Sequence, residues 1–126
     1  MDSCFSQVFD INIIINKWSI DEFGLYLGQI ALQNGSMIDG DIVEQTQTVL
    51  GNIKTILEDA GSNMNKVVKC TVFLRNISDF DLMNGVYRHY FNISSNEVDS
   101  YPARSAIAVR DLPLGAQVEI EAIALP

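Results

Sequence analysis

The chain has 126 residues, enough for one hydrophobic core and too few for two ordinary domains, so we predict a single domain over residues 1–126. Hydrophobic residues make up 48% of the sequence and charged residues 19%, which is typical of a folded globular protein. The net charge of −8 disfavours binding to nucleic acid or to an anionic membrane, because both need clustered lysine and arginine.

Neither secretion nor metal binding is indicated by the sequence. There is no charged and apolar leader and no apolar run long enough to cross a bilayer, so we expect a cytoplasmic location. The cysteines, Cys4 and Cys70, do not have the spacing of a metal site or a disulfide framework. Cys70 falls in an alternating segment and is predicted to be a small core residue.

The first third of the chain is rich in strand-forming residues. β-Branched and aromatic residues predict strands over Val8–Ile15 and Phe23–Leu32. The polar stretch Asn16–Glu22 between them predicts a loop, and Asn34-Gly35-Ser36 is typical of a tight turn.

Two helices and one strand are predicted in the middle of the chain. Asp41 with Glu44 three residues later forms a capping box, and Gly61 predicts the end of this first helix. Val67–Leu74 alternates in polarity, which predicts a half-buried strand. Ser78 is predicted to cap the second helix. The apolar stripe of that helix contains Phe80, Met83, Val86, Tyr87, Tyr90 and Phe91.

The last two predicted strands are Arg104–Arg110 and Gln117–Leu125, joined by Asp111–Gly115 into a terminal hairpin. The predicted order is therefore β-β-α-β-α-β-β. Two helices packed on one face of one mixed sheet form an α+β fold.

Charged residues inside these two strands indicate a small-molecule site. Alternation places Glu119 and Glu121 opposite the apolar face of the last strand, and we expect Arg104 to share their outer face, away from the helices. A guanidinium matches a carboxylate with two parallel hydrogen bonds, and a glutamate with a tuned pKa can transfer a proton. The pattern therefore favours a site for an organic acid.

The same outer face would expose apolar side chains, which predicts that a second subunit covers it. The side chains expected there are Ala106, Ala108, Ile123 and Leu125. The charged residues would then lie at a subunit boundary.

Two alternatives stay open at this point. Arg104 could instead be a structural ion-pair partner of Glu121 across the terminal hairpin. Strand alternation does not distinguish Glu119 from Glu121 as the working carboxylate, and a hairpin register would place Glu121 nearer to Arg104.

An ordered set of short segments resembles the YjgF/Rid family over nearly the whole chain. The segments are Gly28-Gln29-Ile30, Leu57-Glu58-Asp59-Ala60-Gly61-Ser62, Val67–Leu74, Asp79-Phe80, Met83-Asn84-Gly85-Val86-Tyr87, Pro102-Ala103-Arg104-Ser105, Leu112-Pro113 and Val118-Glu119-Ile120-Glu121-Ala122-Ile123-Ala124. No single segment is diagnostic, but the set in this order is specific.

The resemblance implies a chorismate-mutase-like α+β fold and a homotrimer with sites in the clefts between subunits. It implies hydrolysis of reactive 2-imino and enamine acids, such as 2-iminobutanoate and 2-iminopropanoate, to 2-oxo acids and ammonia, without a cofactor or a metal. By the same resemblance Arg104 would bind the substrate carboxylate and Glu119 would position or activate water. Gly28, Asn84 and Phe5 would line the pocket.

Three positions depart from the family pattern. Phe5 stands where the family has a pocket tyrosine, Leu27 replaces a common serine, and Ala106 replaces a frequent cysteine. Because hydroxyl groups are lost around the substrate, a non-catalytic trimer that binds carboxylate metabolites or acts as a chaperone is the main alternative function. A ribonuclease or translation inhibitor is disfavoured by the acidic composition and by the single histidine, His89.

Overall fold

The structure of the protein is a computed structural model, which describes residues 18–20, 24–93 and 101–126. The strands and helices in chain order are β1 (Trp18–Ile20), β2 (Leu25–Gln29), β3 (Leu32–Gln33), β4 (Ser36–Met37), α1 (Ile42–Asp59), β5 (Val67–Leu74), α2 (Phe80–Ile93), β6 (Ala103–Ala108) and β7 (Val118–Ala124). Short 3₁₀ helices cover Met64–Lys66, Ile77–Asp79 and Pro113–Gly115. The predicted strand Val8–Ile15 lies outside the described residues.

Five strands form one mixed sheet in the order β1-β2-β7-β5-β6. Neighbouring strands are antiparallel except β5 and β6, which are parallel and are connected through α2. β3 and β4 form a separate hairpin around Asn34 and Gly35, whose φ angles of 53° and 80° suit the tight turn predicted there. From β2 onwards, and apart from this hairpin, the described elements follow the predicted order β-α-β-α-β-β.

Both predicted ends of α1 are confirmed. The Asp41 carboxylate accepts a hydrogen bond from the Glu44 N–H at 2.9 Å, which satisfies one of the free donors of the first turn. At the other end Gly61 has a φ of 83°, and the N–H groups of Gly61 and Ser62 donate to the carbonyl oxygens of Glu58 and Leu57 at 3.1 and 2.8 Å. This left-handed closure is readily adopted by glycine, which explains the end of the helix.

α2 begins differently from the prediction. Asn76, and not Ser78, supplies the capping oxygen, since Asn76 Oδ1 accepts from the Ser78 N–H at 3.1 Å and from the Ser78 hydroxyl at 2.8 Å. The capped residues form the 3₁₀ turn Ile77–Asp79, which leads directly into α2.

Both helices pack on one face of the sheet and bury one continuous core. Its fully buried members include Leu25, Val49, Leu50, Ile53, Leu57, Val72, Leu74, Met83, Val118 and Ile120. The inward face predicted for the last strand is confirmed, because Val118, Ile120, Ala122 and Ala124 are all buried. The protein therefore has the predicted α+β, chorismate-mutase-like fold.

One loop prediction and one strand prediction near the N-terminus are wrong in part. Trp18–Ile20, inside the predicted loop, forms β1 because its backbone pairs with the free edge of β2. The strand predicted over Phe23–Leu32 ends at Gln29, and Leu32 instead enters the β3–β4 hairpin.

β5 contains an irregularity that simple alternation does not predict. Its register shifts between Val67 and Lys69, so Val67 is 5% exposed whereas Val68 is 44% exposed. Such a bulge turns the following residues by one position, and Cys70, Val72 and Leu74 continue the buried face. The prediction of Cys70 as a core residue is confirmed.

The predicted terminal hairpin is wrong, because β5 lies between β6 and β7. After α2 the chain returns parallel to β5 on one side, and β7 occupies the other side of β5. Arg104 and Glu121 are therefore not neighbours across a strand pair, and β6 forms an edge of the sheet within the described residues.

Candidate active site

Arg104 lies on the helix-covered face of the sheet, and its predicted position on the outer face is wrong. Its Nη1 donates a hydrogen bond of 2.6 Å to Asn84 Oδ1 on α2. The register with β5 decides the face, because Arg104 is paired with the buried Cys70 and side chains of paired residues point the same way. Ala106 shares this face and packs against the core instead of an exposed surface.

Two aromatic rings of α2 lie beneath the Arg104 guanidinium. Arg104 Cζ is 4.5 Å from the centroid of the Tyr87 ring and 5.5 Å from that of Phe80. Cation–π contacts of this kind contribute about 0.5–2 kcal/mol each. No carboxylate of the described residues forms an ion pair with Arg104, so the alternative of a structural pair with Glu121 is wrong. Within the described residues the charge of Arg104 therefore has no carboxylate partner.

Asn84 positions the arginine from the same helix. The spacing of Phe80, Asn84 and Tyr87, four and three residues apart, places all three on one face of α2. A polar residue in this apolar stripe needs a partner, and its partner is Arg104. The short contact to an amide oxygen fixes one arm of the guanidinium and leaves the other donors of the fork available.

Tyr87 and Cys70 form a neutral layer below the guanidinium. The Tyr87 side chain is 2% exposed, and its Oη makes no hydrogen bond of ordinary length and angle with the described residues. Burial raises the pKa of the Cys70 thiol to about 11, and burial together with the nearby Cys70 raises the pKa of Tyr87. Both groups stay protonated at neutral pH. The sequence placed Tyr87 in an apolar stripe, and its contact with Arg104 depends on tertiary packing.

A cleft of about 380 Å³ opens beside these residues. The described residues that line it are Asn84, Tyr87, Arg88, Tyr101, Pro102 and Arg104. Its volume lies within the range of about 300–1,000 Å³ that is usual for small-molecule sites. Arg88 and Tyr101 were not singled out from the sequence, although Tyr101 directly precedes the Pro-Ala-Arg-Ser segment.

Glu119 and Gly28 form a second group on the outer face of the sheet. Gly28 is paired with Glu121 across β2 and β7, and a Cβ atom added to Gly28 would lie 4.0 Å from Glu119 Oε1. Glu119 is half-buried, and this burial raises the pKa of its carboxyl, with a smaller contribution from the charge of Glu121. Glu121 itself is exposed. The environment therefore distinguishes the two glutamates, which strand alternation does not.

The two groups do not meet within one chain. Arg104 is on the helix-covered face and Glu119 on the outer face. They are three positions apart along the strands and two strands apart across the sheet, which separates their Cα atoms by about 14 Å. Phe5, the remaining predicted site residue, lies outside the described residues.

Metal-binding clusters and membrane-spanning helices are absent from the described parts of the chain. Residues 18–20, 24–93 and 101–126 contain no group of three or more histidine, cysteine, aspartate or glutamate side chains that could hold a metal ion. Among the helices described, none combines the length and the apolar character that crossing a membrane requires.

Comparison with known proteins places this arrangement in a family. The family model named endoribonuclease L-PSP matches residues 15–126. The chain belongs to this family, known also as YjgF/Rid. The resemblance inferred from the ordered segments is therefore confirmed.

Individual Rid-family relatives are similar over most of their length. A RutC family protein of Pyrococcus abyssi is 45% identical over 107 residues, which cover 83% of this chain and 80% of the relative. A 2-iminobutanoate/2-iminopropanoate deaminase of Capra hircus is 43% identical over 100 residues, 78% of this chain and 69% of the relative. The crystal structure of E. coli TdcF with bound serine superimposes with a TM-score of 0.79 at 28% identity, covering 93% of this chain and 96% of that one.

Proposed function

We propose that the protein hydrolyses reactive 2-imino acids, such as 2-iminobutanoate and 2-iminopropanoate, to 2-oxo acids and ammonia. The observation that carries the proposal is the Arg104 arrangement, a cation held by Asn84 over two aromatic rings without a carboxylate partner among the described residues. Membership of a family with relatives named as deaminases of these imines supports the same activity.

Arg104 binds the substrate carboxylate in this proposal. A guanidinium that is already fixed by a hydrogen bond and by ring contacts loses little conformational freedom when it binds an anion. Its planar fork orients the carboxylate with two hydrogen bonds, and this orientation places the adjacent imine carbon at one defined point.

Glu119 is the general acid–base group that acts on the attacking water. Water adds to the carbon of the C=N bond, the nitrogen takes up protons, and the C–N bond then breaks to release ammonia and leave the C=O group. Glu119 accepts a proton from the water and returns one to the departing nitrogen. A raised pKa suits this exchange near neutral pH, and such general acid–base catalysis contributes about 10²–10⁴-fold to a rate. No step needs a cofactor or a metal.

This chemistry requires a second subunit, because Arg104 and Glu119 are on opposite faces of one sheet, and we infer the homotrimer that the family resemblance implies. A site between subunits would combine the Arg104 group of one copy with the Glu119 and Gly28 group of the next. The outer face also carries partly exposed apolar side chains that a neighbouring copy would cover. These side chains are Tyr26, Phe73, Ile107, Ile123 and Leu125.

Mixed trimers test the activity and the shared site together. Arg104→Lys and Glu119→Gln subunits are each expected to be nearly inactive in a coupled assay with threonine dehydratase. Subunits mixed under dissociating conditions and reassembled should regain part of the activity, because some interfaces then contain an intact Arg104 and an intact Glu119. Sedimentation should give three times the 14.0 kDa chain mass. A monomer at micromolar concentration, or mixtures without regained activity, would overturn the shared site.

A non-catalytic role in binding carboxylate metabolites is the second candidate. The separation of Arg104 from Glu119 favours it, since one chain alone offers an anion site without a neighbouring acid–base group. It predicts that 2-oxobutanoate binds in calorimetry while the wild-type protein leaves the rate of imine hydrolysis unchanged.

A further inference from the structure

The cleft that contains Arg104 contains a second arginine. Arg88 is among its lining residues, and no aspartate or glutamate is among the described residues that line it. The chain as a whole has 16 acidic and 8 basic residues, so two cations and no acid among the described lining residues differ from the overall charge balance. A local concentration of positive charge favours an anionic ligand.

Arg88 lies one helical turn beyond the group that holds Arg104. It follows Asn84 by four residues on α2, and Cβ atoms at this spacing are about 6 Å apart on the same face of a helix. Its side chain is exposed and forms no ion pair with a described carboxylate. Its backbone carbonyl accepts a long hydrogen bond of 3.5 Å from Tyr101 Oη, which links the helix to the opposite wall of the cleft.

The remaining walls suit a short carbon chain. Tyr101 and Pro102, both among the described lining residues, present ring side chains along the cleft. Arg104 and Arg88 are the two cations among the described lining residues, so a ligand with one carboxylate on Arg104 has Arg88 as the cation available to its other end. A methyl group at that end, as in 2-iminobutanoate, leaves the second guanidinium without an anion, whereas a second carboxylate matches it with parallel hydrogen bonds.

We propose that the cleft selects dicarboxylic 2-imino acids and their 2-oxo products, with the carboxylate next to the imine on Arg104 and the distal carboxylate on Arg88. The identity of the reacting imine rests on the proposed function. The selection between one and two carboxylates rests on the two arginines alone and is measurable without catalysis.

Calorimetric binding of 2-oxoglutarate and 2-oxobutanoate tests this selection. The wild-type protein is expected to bind 2-oxoglutarate about tenfold more tightly, the effect of one additional charge-assisted interaction at a partly exposed site. Arg88→Gln should bring the affinity ratio of the two acids close to one, and Arg88→Lys should give an intermediate ratio. Arg110→Gln is the matched control, because it removes the same charge from an exposed arginine outside the described lining of the cleft. It should keep the wild-type ratio.

Each result decides a different part of the proposal. Equal affinity of the wild-type protein for the two acids, or equal loss of the ratio in Arg88→Gln and Arg110→Gln, would overturn the selection. If 2-iminobutanoate is hydrolysed but the ratio is absent, only this inference fails. If the Arg88-dependent ratio is present but no imine is hydrolysed, the selection stands and the proposed function fails.

Discussion

Replacing Arg104 by lysine separates the geometry of this side chain from its charge. Lysine keeps the positive charge, but it makes one hydrogen bond to a carboxylate where the arginine fork makes two. The lost charge-assisted bond contributes about 1.5–3 kcal/mol, and 1.4 kcal/mol corresponds to a factor of ten. The Arg104–Asn84 bond of 2.6 Å is lost as well, so the ammonium is not held in place. We expect kcat/KM for 2-iminobutanoate to fall about 10²-fold.

The assay couples threonine dehydratase to the variant and follows the disappearance of the imine, with thermal unfolding measured in parallel. Because Arg104 is partly exposed, the free energy of unfolding should change by less than about 1 kcal/mol. Arg75→Lys is the control, since Arg75 Nη1 donates to the Gly115 carbonyl at 3.3 Å outside the described cleft lining. Wild-type rates in Arg104→Lys together with a lowered melting temperature would show that the arginine is structural, and the reasoning would be refuted.

Three further predictions concern other parts of the molecule. Glu119→Gln should still bind 2-oxobutanoate but turn over the imine about 10²-fold or more slowly, while Glu121→Gln keeps most of its turnover; equal small effects would contradict a role in catalysis. Burial raises the pKa of Glu119 in the folded state, so the contribution of this carboxyl to the free energy of unfolding falls as the pH rises through that pKa. Glu119→Gln should therefore melt at a higher temperature than the wild type near pH 7 and at the same temperature near pH 4. Gln45→Leu should lower the free energy of unfolding by about 1–3 kcal/mol, because it leaves the Gln117 N–H without its 2.9 Å bond to the buried Gln45 Oε1. The exposed Gln47→Leu serves as its control in denaturant titration.

Features that depend on a few consecutive residues were predictable from the sequence. The cap at Asp41, the glycine closure at Gly61 and the buried face of Val118–Ala124 follow from local hydrogen bonding and from alternation. The family followed instead from an ordered set of segments spread over nearly the whole chain, whereas the cap, the glycine closure and the strand face are local signals. Each of these signals is complete within about one turn of helix or one strand.

Features that depend on how distant segments pair were not predictable. The face occupied by Arg104 is decided by the pairing of β6 with β5, and nothing within Ala103–Ala108 specifies that neighbour. The bulge removes Val68 from the buried face that alternation predicts for it, for the same reason. The contact of Tyr87 with Arg104 joins a helix to an edge strand, so the stripe that contains Tyr87 could only be assigned to the core.

The neutral layer of Tyr87 and Cys70 beneath Arg104 determines how the cleft responds to acidity. Burial moves the pKa of both groups upwards, that of Cys70 to about 11, so neither gains or loses a proton around neutrality. The layer that supports the anion site therefore does not change its charge near neutral pH, and the pH dependence of the reaction falls on the substrate and on Glu119.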